Sequence, residues 1–481
     1  MGAIPSKYIT MGAITKNKFL KEYSDAVIAG HAAVFAGAGF SATAGFVDWK
    51  GLIRDLAAEI GLDVEKEYDL LSIAQYYDNA HNREDVTKAI FDNFTRKAKL
   101  DDNHLILGSL PIKTYWTTNF DSLIEEGLRK CGKRVEVKSQ NSDFCNKLKD
   151  CNATVYKMHG DINHPDETIL LKREFEDYAV NHAVFHSALM SDMMDKTFLF
   201  LGFSFTDPNL NYVLSRMRVN LKGNKVHYNI TKAVQEKEYG NKEEYEYERN
   251  KQEHFINDLE KNYHIQTLLV DEWSQINDIL KEVKKRNDRR TIYISGAANQ
   301  YKPWDTDTCK AFVRELSARL IASGFRLVTG YGLGVGSLVI AGALEEIYKD
   351  EDGVVDEQII MRPFPIGADK KKVDTNRYRR DMICNTGISI FLFGNKDAGG
   401  SLVLSDGMDQ ERSWSIDQNN VLIPIGVTGY KSKQYYDELM AAFPSEEYVK
   451  YEADLRIIGD DSKAPNEIIE AVMRIVHTAN Q

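Results

Sequence analysis

Cysteine is scarce in this chain: 481 residues hold five, at Cys131, Cys145, Cys151, Cys309 and Cys384, and no two form a Cys-x-x-Cys pair. That scatter excludes a zinc ribbon, offers no disulfide framework and points to a reducing cytoplasm. Long apolar runs are missing as well. None reaches the ~18 residues of a membrane-spanning helix, and runs such as 198–205 and 388–393 have the length of buried strands. Positive charge is in deficit. A net charge of −11 argues against a protein that holds nucleic acid by its phosphates, though it leaves room for a local basic pocket. Neither Met1 nor Met11 is followed by the apolar core of a signal peptide. Met1-Gly2-Ala3-Ile4-Pro5-Ser6 formally fits an N-myristoylation pattern, but Met11-Gly12-Ala13-Ile14 repeats its start, the mark of an alternative beginning. There is no short-period repeat.

With 43% hydrophobic and 28% charged residues, the composition is that of an ordinary globular protein, and the length suggests two hydrophobic cores. Residues 1–14 read as an N-terminal extension, 15–285 as one domain and 286–481 as a second, divided near the basic stretch 281–290. In the first, a helix over 17–28 precedes a buried strand at 32–36, with further strands at 114–117, 154–158, 197–202 and 266–270 and helices at 49–60 and 121–130. The Glu- and Lys-rich stretch 235–261 reads as a solvated helix or insertion. In the second, strands are expected at 291–294, 326–329, 358–361, 388–393 and 421–425. A helix there aligns Phe312, Leu316 and Leu320 on one face. Strands alternating with helices give two α/β, Rossmann-like domains with parallel sheets.

Four segments of the first domain follow predicted strands. Ala36-Gly37-Ala38-Gly39-Phe40-Ser41 is a glycine turn of the kind that lets backbone approach a pyrophosphate at a helix N-terminus. Thr117-Thr118-Asn119-Phe120-Asp121 offers ligand contacts, or a cap for the next helix. His159-Gly160 places an imidazole at a strand end, where it can act as a base in a cleft. Gly202-Phe203-Ser204 adds a further turn with hydroxyls and amides, ahead of Asp207-Pro208. In the second domain, Gly330, Gly332, Gly334 and Gly336 alternate through a strand-to-helix turn that ends at Ser337. This is a phosphate-cradle pattern, and Ser295-Gly296 ends the preceding strand beside it. Arg377, Arg379, Arg380 and Lys396 supply cations for a phosphate, and Glu411 is an acceptor for ribose hydroxyls.

The order and spacing of the first four segments resemble the sirtuin family. Gly37-Ala38-Gly39 with Ser41 looks like its Gly-Ala-Gly-x-Ser loop, and Thr117–Asp121 like its Thr-Gln-Asn-x-Asp segment, with Thr118 in place of Gln. His159-Gly160 resembles the catalytic His-Gly, and Gly202-Phe203-Ser204 the Gly-Thr-Ser segment. The resemblance implies an NAD pocket in which Ala36, Gly37, Ala38, Gly39, Ser41, Thr118, Asp121, Gly202 and Ser204 bind the dinucleotide, while Asn119 and His159 carry the chemistry. The second domain resembles the SLOG family of nucleotide-ligand sensors. A sirtuin-like domain followed by SLOG is similar to the effectors of Thoeris antiphage systems. That likeness implies a cytoplasmic NAD+ hydrolase, switched on by a cyclic ADP-ribose isomer from a TIR-domain partner and working as a homo-oligomer built of tetramers. Its signal would be held by Ser295, Gly296, Gly332, Gly334, Gly336, Ser337, Arg379 or Arg380, Lys396 and Glu411.

The departures count too. No zinc is expected without the ribbon cysteines, and the family's Gly-Ile-Pro-Asp-Phe-Arg stretch shrinks to Gly45-Phe46-Val47-Asp48-Trp49. Both losses speak against protein deacylation and leave the NAD pocket standing. The rival readings are a true deacylase, a non-catalytic nucleotide-binding sensor, and a second domain that is itself a nucleotide hydrolase.

Overall fold

The computed structural model describes residues 12–480, except 43, 46–48, 68, 95–98, 147, 221–224, 350–354, 364–373 and 447. The myristoylation pattern of Met1–Ser6 and the Phe46-Val47-Asp48 remnant lie outside the described residues. The chain divides into two compact units, Met1–Lys284 and Lys285–Gln481. The division falls inside the helix Gln275–Asp288.

Unit one is built on seven strands: β1 (Ala32–Ala36), β2 (Thr114–Thr117), β3 (Val135–Lys138), β4 (Ala153–Lys157), β5 (Thr197–Leu201), β6 (His227–Lys232) and β7 (Ile265–Val270). They lie in the order β3-β4-β2-β1-β5-β6-β7, and every pairing is parallel. Side chains alternate across the sheet, so a strand covered on both faces must be apolar throughout. In β1, Val34 joins one core with Leu199 and Leu201, while Ala33 and Phe35 join the opposite core with Phe198 and Phe200. A third, smaller core unites the helices Trp49–Glu59, Leu70–Ala80 and Arg83–Phe94 beside the sheet. The charged stretch forms the solvated 22-residue helix Lys242–Tyr263, started by Asn241 accepting from the Glu244 amide.

Three details differ from the sequence reading. β3 and β6 carry few apolar residues (Val-Glu-Val-Lys and His-Tyr-Asn-Ile-Thr-Lys), so neither shows as an apolar run. Gly12, Ala13 and Ile14 are no loose extension: they run beside β7, exchanging backbone hydrogen bonds with Thr267, and Ile14 is buried. The helix placed at 121–130 begins at Leu123, because the Asp121 carboxylate accepts from the Leu123 amide and occupies the preceding turn.

Unit two holds β8 (Thr291–Ala297), β9 (Arg326–Thr329), β10 (Ile359–Met361), β11 (Ile388–Phe393), β12 (Asn395–Ala398), β13 (Ser401–Leu404) and β14 (Val421–Pro424). Five of these form a parallel sheet in the order β10-β9-β8-β11-β14. β12 and β13 make a separate antiparallel hairpin whose second strand is exposed throughout. The helix carrying Phe312, Leu316 and Leu320 spans Thr306–Ala322 and packs those residues into the core. In both sheets the winding reverses beside the first strand, between β1 and β5 and between β8 and β11. In open α/β folds that reversal opens a crevice at the carboxyl ends of the strands.

Candidate active site

At the reversal point of unit one the loops after β1 and β5 meet backbone to backbone. The Gly37 amide donates to Leu201 O (2.9 Å) and the Gly39 amide to Gly202 O (3.0 Å). A Cβ on Gly37 would lie 2.5 Å from Gly202 O; one on Gly202, whose φ is +60°, would lie 2.1 Å from the Phe40 amide nitrogen. The glycines therefore serve the approach of one loop to the other. Two amides that the sequence reading offered to a phosphate are already bonded within the protein. Ala36 is wholly buried at the end of β1.

A cavity of about 860 Å³ opens over these loops, within the range of small-molecule sites. Ala38, Gly39 and Ser41 line it, as do Thr118, Asn119, Asp121, His159, Gly202 and Ser204; Ala36 and Gly37 stand behind that wall. Leu52, Leu70 and Leu71 supply an apolar side, and Ile230, Thr231 and Trp273 close the end near β6 and β7.

Asn119 is buried, and its Nδ2 donates to both Gly37 O (3.0 Å) and Ser41 Oγ (2.9 Å). Both amide hydrogens are thus engaged, so a ligand can meet only the Asn119 carbonyl oxygen. Ser41, accepting from Asn119, keeps its own O–H to donate. Both readings of the 117–121 segment hold: Asn119 and Asp121 line the cavity, and Asp121 also accepts from the Leu123 amide ahead of the helix.

His159 sits 5% exposed with its ring edge-on to Phe175. Its Nε2 lies 2.9 Å from Asp207 Oδ2, off the line of an ideal N–H···O bond, so the contact is chiefly electrostatic. Burial pushes the Asp207 carboxyl up, but the charge of His159 and the amides of Leu210 and Asn209 outweigh it and hold the group below the usual carboxylate range. Behind His159, burial lowers His182, helped by the charge of His159, and brings His186 down to about 4.

The loops bearing Asn119 and His159 are tied together by Lys157, which is fully buried. Its Nζ donates to Phe120 O (2.9 Å) and Asp121 O (2.6 Å) on one loop, and to Asp161 Oδ2 (2.7 Å) on the other. Glu125 Oε1 lies 3.1 Å away. Burial lifts the Glu125 carboxyl, and although burial also acts on Asp161, Lys157 holds that group low.

In unit two, Ser295 Oγ donates to Glu411 Oε2 (2.6 Å) and Arg379 Nε stands 3.7 Å from Glu411 Oε1. Burial raises the Glu411 carboxyl against the opposing hydrogen bonds of Ser295 and Tyr293. Arg380 turns away and lies over the Trp414 ring at 5.5 Å. Lys396 pairs with Asp406, at the start of the helix Gly407–Asp417 that carries Glu411. A Cβ on Gly332 would sit 1.9 Å from Gly296 O, and one on Gly334 2.0 Å from Ala298 O. Gly336 packs against Tyr331 of its own loop, and Ser337 is exposed in the first turn of the following helix. The alternating glycines let this loop close on the end of β8. Among the described residues no group of three or more His, Cys, Asp or Glu is placed to hold a metal ion, and no helix is long and apolar enough to cross a membrane.

Residues 113–268 match the family model of the SIR2-like domain, and residues 275–479 match that of the Sir2- and TIR-associating SLOG family. The chain is 40% identical over 469 residues to the NAD(+) hydrolase ThsA of Bacillus cereus (strain MSX-D12), covering 95% of this chain and 97% of that protein. The chain belongs to the ThsA family. Identity to the NAD(+) hydrolase ThsA of Cytobacillus dafuensis is also 40%, over 478 residues, 96% of this chain and 97% of that one. A more distant relative, defense-associated sirtuin 2 of Bacillus subtilis, is 26% identical over 207 residues, 41% of this chain and 20% of its own. The order of a sirtuin-like domain followed by a SLOG domain, both α/β with parallel sheets, is the one expected from the sequence. Two residues that the sequence reading did not single out stand beside Asn119 and His159: Lys157, which ties their loops together, and Asp207, whose Oδ2 lies 2.9 Å from His159 Nε2. A lysine closing a buried strand two residues before His159, and an aspartate directly before Pro208 at a helix start, are the signals that mark them.

Proposed function

We propose that this chain hydrolyses NAD+ at the nicotinamide–ribose bond, giving nicotinamide and ADP-ribose. The single observation that carries the reading is that Asn119 and His159 share one cavity with the abutting loops after β1 and β5. NAD+ would lie along the carboxyl edge of the sheet. Its pyrophosphate would rest at Ala38, Gly39, Ser41, Gly202 and Ser204, its nicotinamide ribose at Asn119 and His159, and its adenosine toward Thr231 and Trp273.

Nicotinamide leaves as a neutral molecule, because the electron pair of the breaking C1′–N bond cancels the charge on the pyridinium. The ribose left behind is oxocarbenium-like. The Asn119 carbonyl oxygen is the acceptor that can orient a ribose hydroxyl or the incoming water. Water oxygen bonds to C1′, and His159 takes the proton that water gives up. Removing NAD+ in this way would make the chain an antiphage effector. A cyclic ADP-ribose isomer made by a TIR-domain protein would act at unit two, where Ser295, Arg379 and Glu411 converge and Lys396 stands nearby. Activity in a homo-oligomer, with tetramers as the unit, belongs to the same reading.

The test is nicotinamide release from NAD+ by the purified full chain, with and without a panel of cyclic ADP-ribose isomers. Release that depends on an isomer and vanishes in Asn119→Ala and His159→Ala is the expected result. Absence of release under every condition would overturn the reading in favour of a non-catalytic nucleotide sensor.

A further inference from the structure

Resting on that reading, we infer that Asp207 is a positioning residue for the hydrolysis. It holds the His159 imidazole in place and stabilises the imidazolium that forms when His159 accepts the proton from water. The two side chains come from different strand ends, His159 after β4 and Asp207 after β5, on opposite sides of the β1–β2 pair. Both are more than nine-tenths enclosed at the side chain, and Nε2 to Oδ2 is 2.9 Å.

The carboxylate has a second task. Asp207 Oδ1 accepts from the Asn209 amide (2.9 Å) and the Leu210 amide (3.0 Å), at the start of the helix Pro208–Asn220. One oxygen is thus fixed by the backbone and the other is aimed at the imidazole. An acid anchored this way does not swing toward water when the histidine is neutral. Two backbone amides and one imidazole keep it charged inside a site where an isolated carboxylate would be costly.

The other titratable groups around the pair are His182, His186, Tyr178 and Glu174. Tyr178 donates to Met158 O, its ring stacks on His182 and it lies beside His186. His182 senses the charge of His159 and of Glu174, and His186 that of Asp207. Of these four, only Glu174 is a carboxyl group, and it acts on His182 and pairs with Arg83 (3.0 Å). Asp207 is therefore the anion that faces the imidazolium directly.

The two tasks can be separated. Asn caps a helix as well as Asp, so Asp207→Asn keeps the backbone contacts and removes only the charge, whereas Asp207→Ala removes both. In the nicotinamide-release assay with NAD+ and the isomer panel, Asp207→Asn should keep the parent's melting temperature and KM. Its kcat should fall about ten- to a hundred-fold, a part of the roughly 10²–10⁴-fold that a positioned general base contributes. The acidic limb of its pH profile should move to lower pH, because the protonated imidazole loses its counter-charge; a purely structural residue would not move that limb. Asp207→Ala should add a loss of thermal stability. A parental kcat and pH profile in Asp207→Asn would overturn the inference and leave the hydrolase reading intact. Imidazole 15N shifts of His159, compared between the parent and Asp207→Asn, read the contact without turnover, and identical shifts would also overturn it. A parent that releases no nicotinamide sinks the hydrolase reading, and the role of Asp207 in that reaction falls with it.

Discussion

Replacing Lys157 with methionine keeps most of the unbranched side chain and removes its charged end from a site with no exposure to water. Three hydrogen bonds go, to Phe120 O, Asp121 O and Asp161 Oδ2, and the carboxylates of Asp161 and Glu125 lose their cation. Glu125, already lifted by burial, can take up a proton. Asp161, held low by Lys157 and still accepting from the amide and side chain of Asn163, is the charge left stranded. Breaking a buried pair from one side costs about 3–5 kcal/mol. At about 2.1 cal/mol/K per residue, a unit of roughly 280 residues loses about 0.6 kcal/mol/K at its midpoint, so the transition should drop by roughly 5–8 °C. The assay is thermal unfolding of the full chain, followed through the transition assigned to unit one. Lys157→Met with Asp161→Asn should melt above Lys157→Met alone, because the stranded charge is gone and the two changes are coupled through one contact. A Lys157→Met chain melting within about 1 °C of the parent would refute the reasoning. So would a double variant no better than the two single losses added together.

Trp273→Ala should raise KM for NAD+ about fivefold, the worth of roughly 1 kcal/mol of aromatic stacking. Turnover of nicotinamide mononucleotide, which has no adenosine to place there, should be unchanged, and equal losses on both substrates would argue against the proposed direction of the dinucleotide. Acid should destabilise unit one through His227, which burial holds down to about 3 and whose Nδ1 accepts the Phe198 amide at 3.2 Å. The unfolded chain takes up that proton near pH 6.5 and the folded chain does not. Stability is therefore full above 6.5 and falls as pH drops toward 3, by up to about 1.4 kcal/mol per pH unit. Melting curves between pH 7 and 4.5 should show a shallower fall for His227→Gln, and equal slopes would contradict the assignment.

The strands that stand out most sharply in the sequence, β1 and β2, are buried on both faces. β1 and β2 fall at the residues expected, because Ala-Ala-Val-Phe-Ala and Thr-Tyr-Trp-Thr have no solvent side to interrupt the pattern. β3, at the sheet edge, and β6 blend with their surroundings, since charged and polar side chains occupy alternate places. At the site, residue types pointed to the cavity but not to the direction of each bond. Gly37 and Gly39 look like free phosphate donors until their amides are seen bonded to the β5 loop. Asn119 and Asp121 are equivalent cap candidates until Asp121, though it also lines the cavity, is found holding the Leu123 amide. The pairing of His159 with Asp207 joins positions 48 residues apart, and only the fold brings them together.

The meeting of Gly37 with Gly202 has a consequence for binding. With backbone packed directly on backbone, few side-chain rotamers beyond those of Phe203 and the flanking serines remain to be frozen there when a ligand arrives. The entropy of ordering this seat is spent when the chain folds, so little of the binding energy of a dinucleotide is diverted into arranging it. Tightness of grip at this end of the cavity should then depend weakly on temperature-driven loop motion, and strongly on whether any atom larger than hydrogen is placed between the two strand ends.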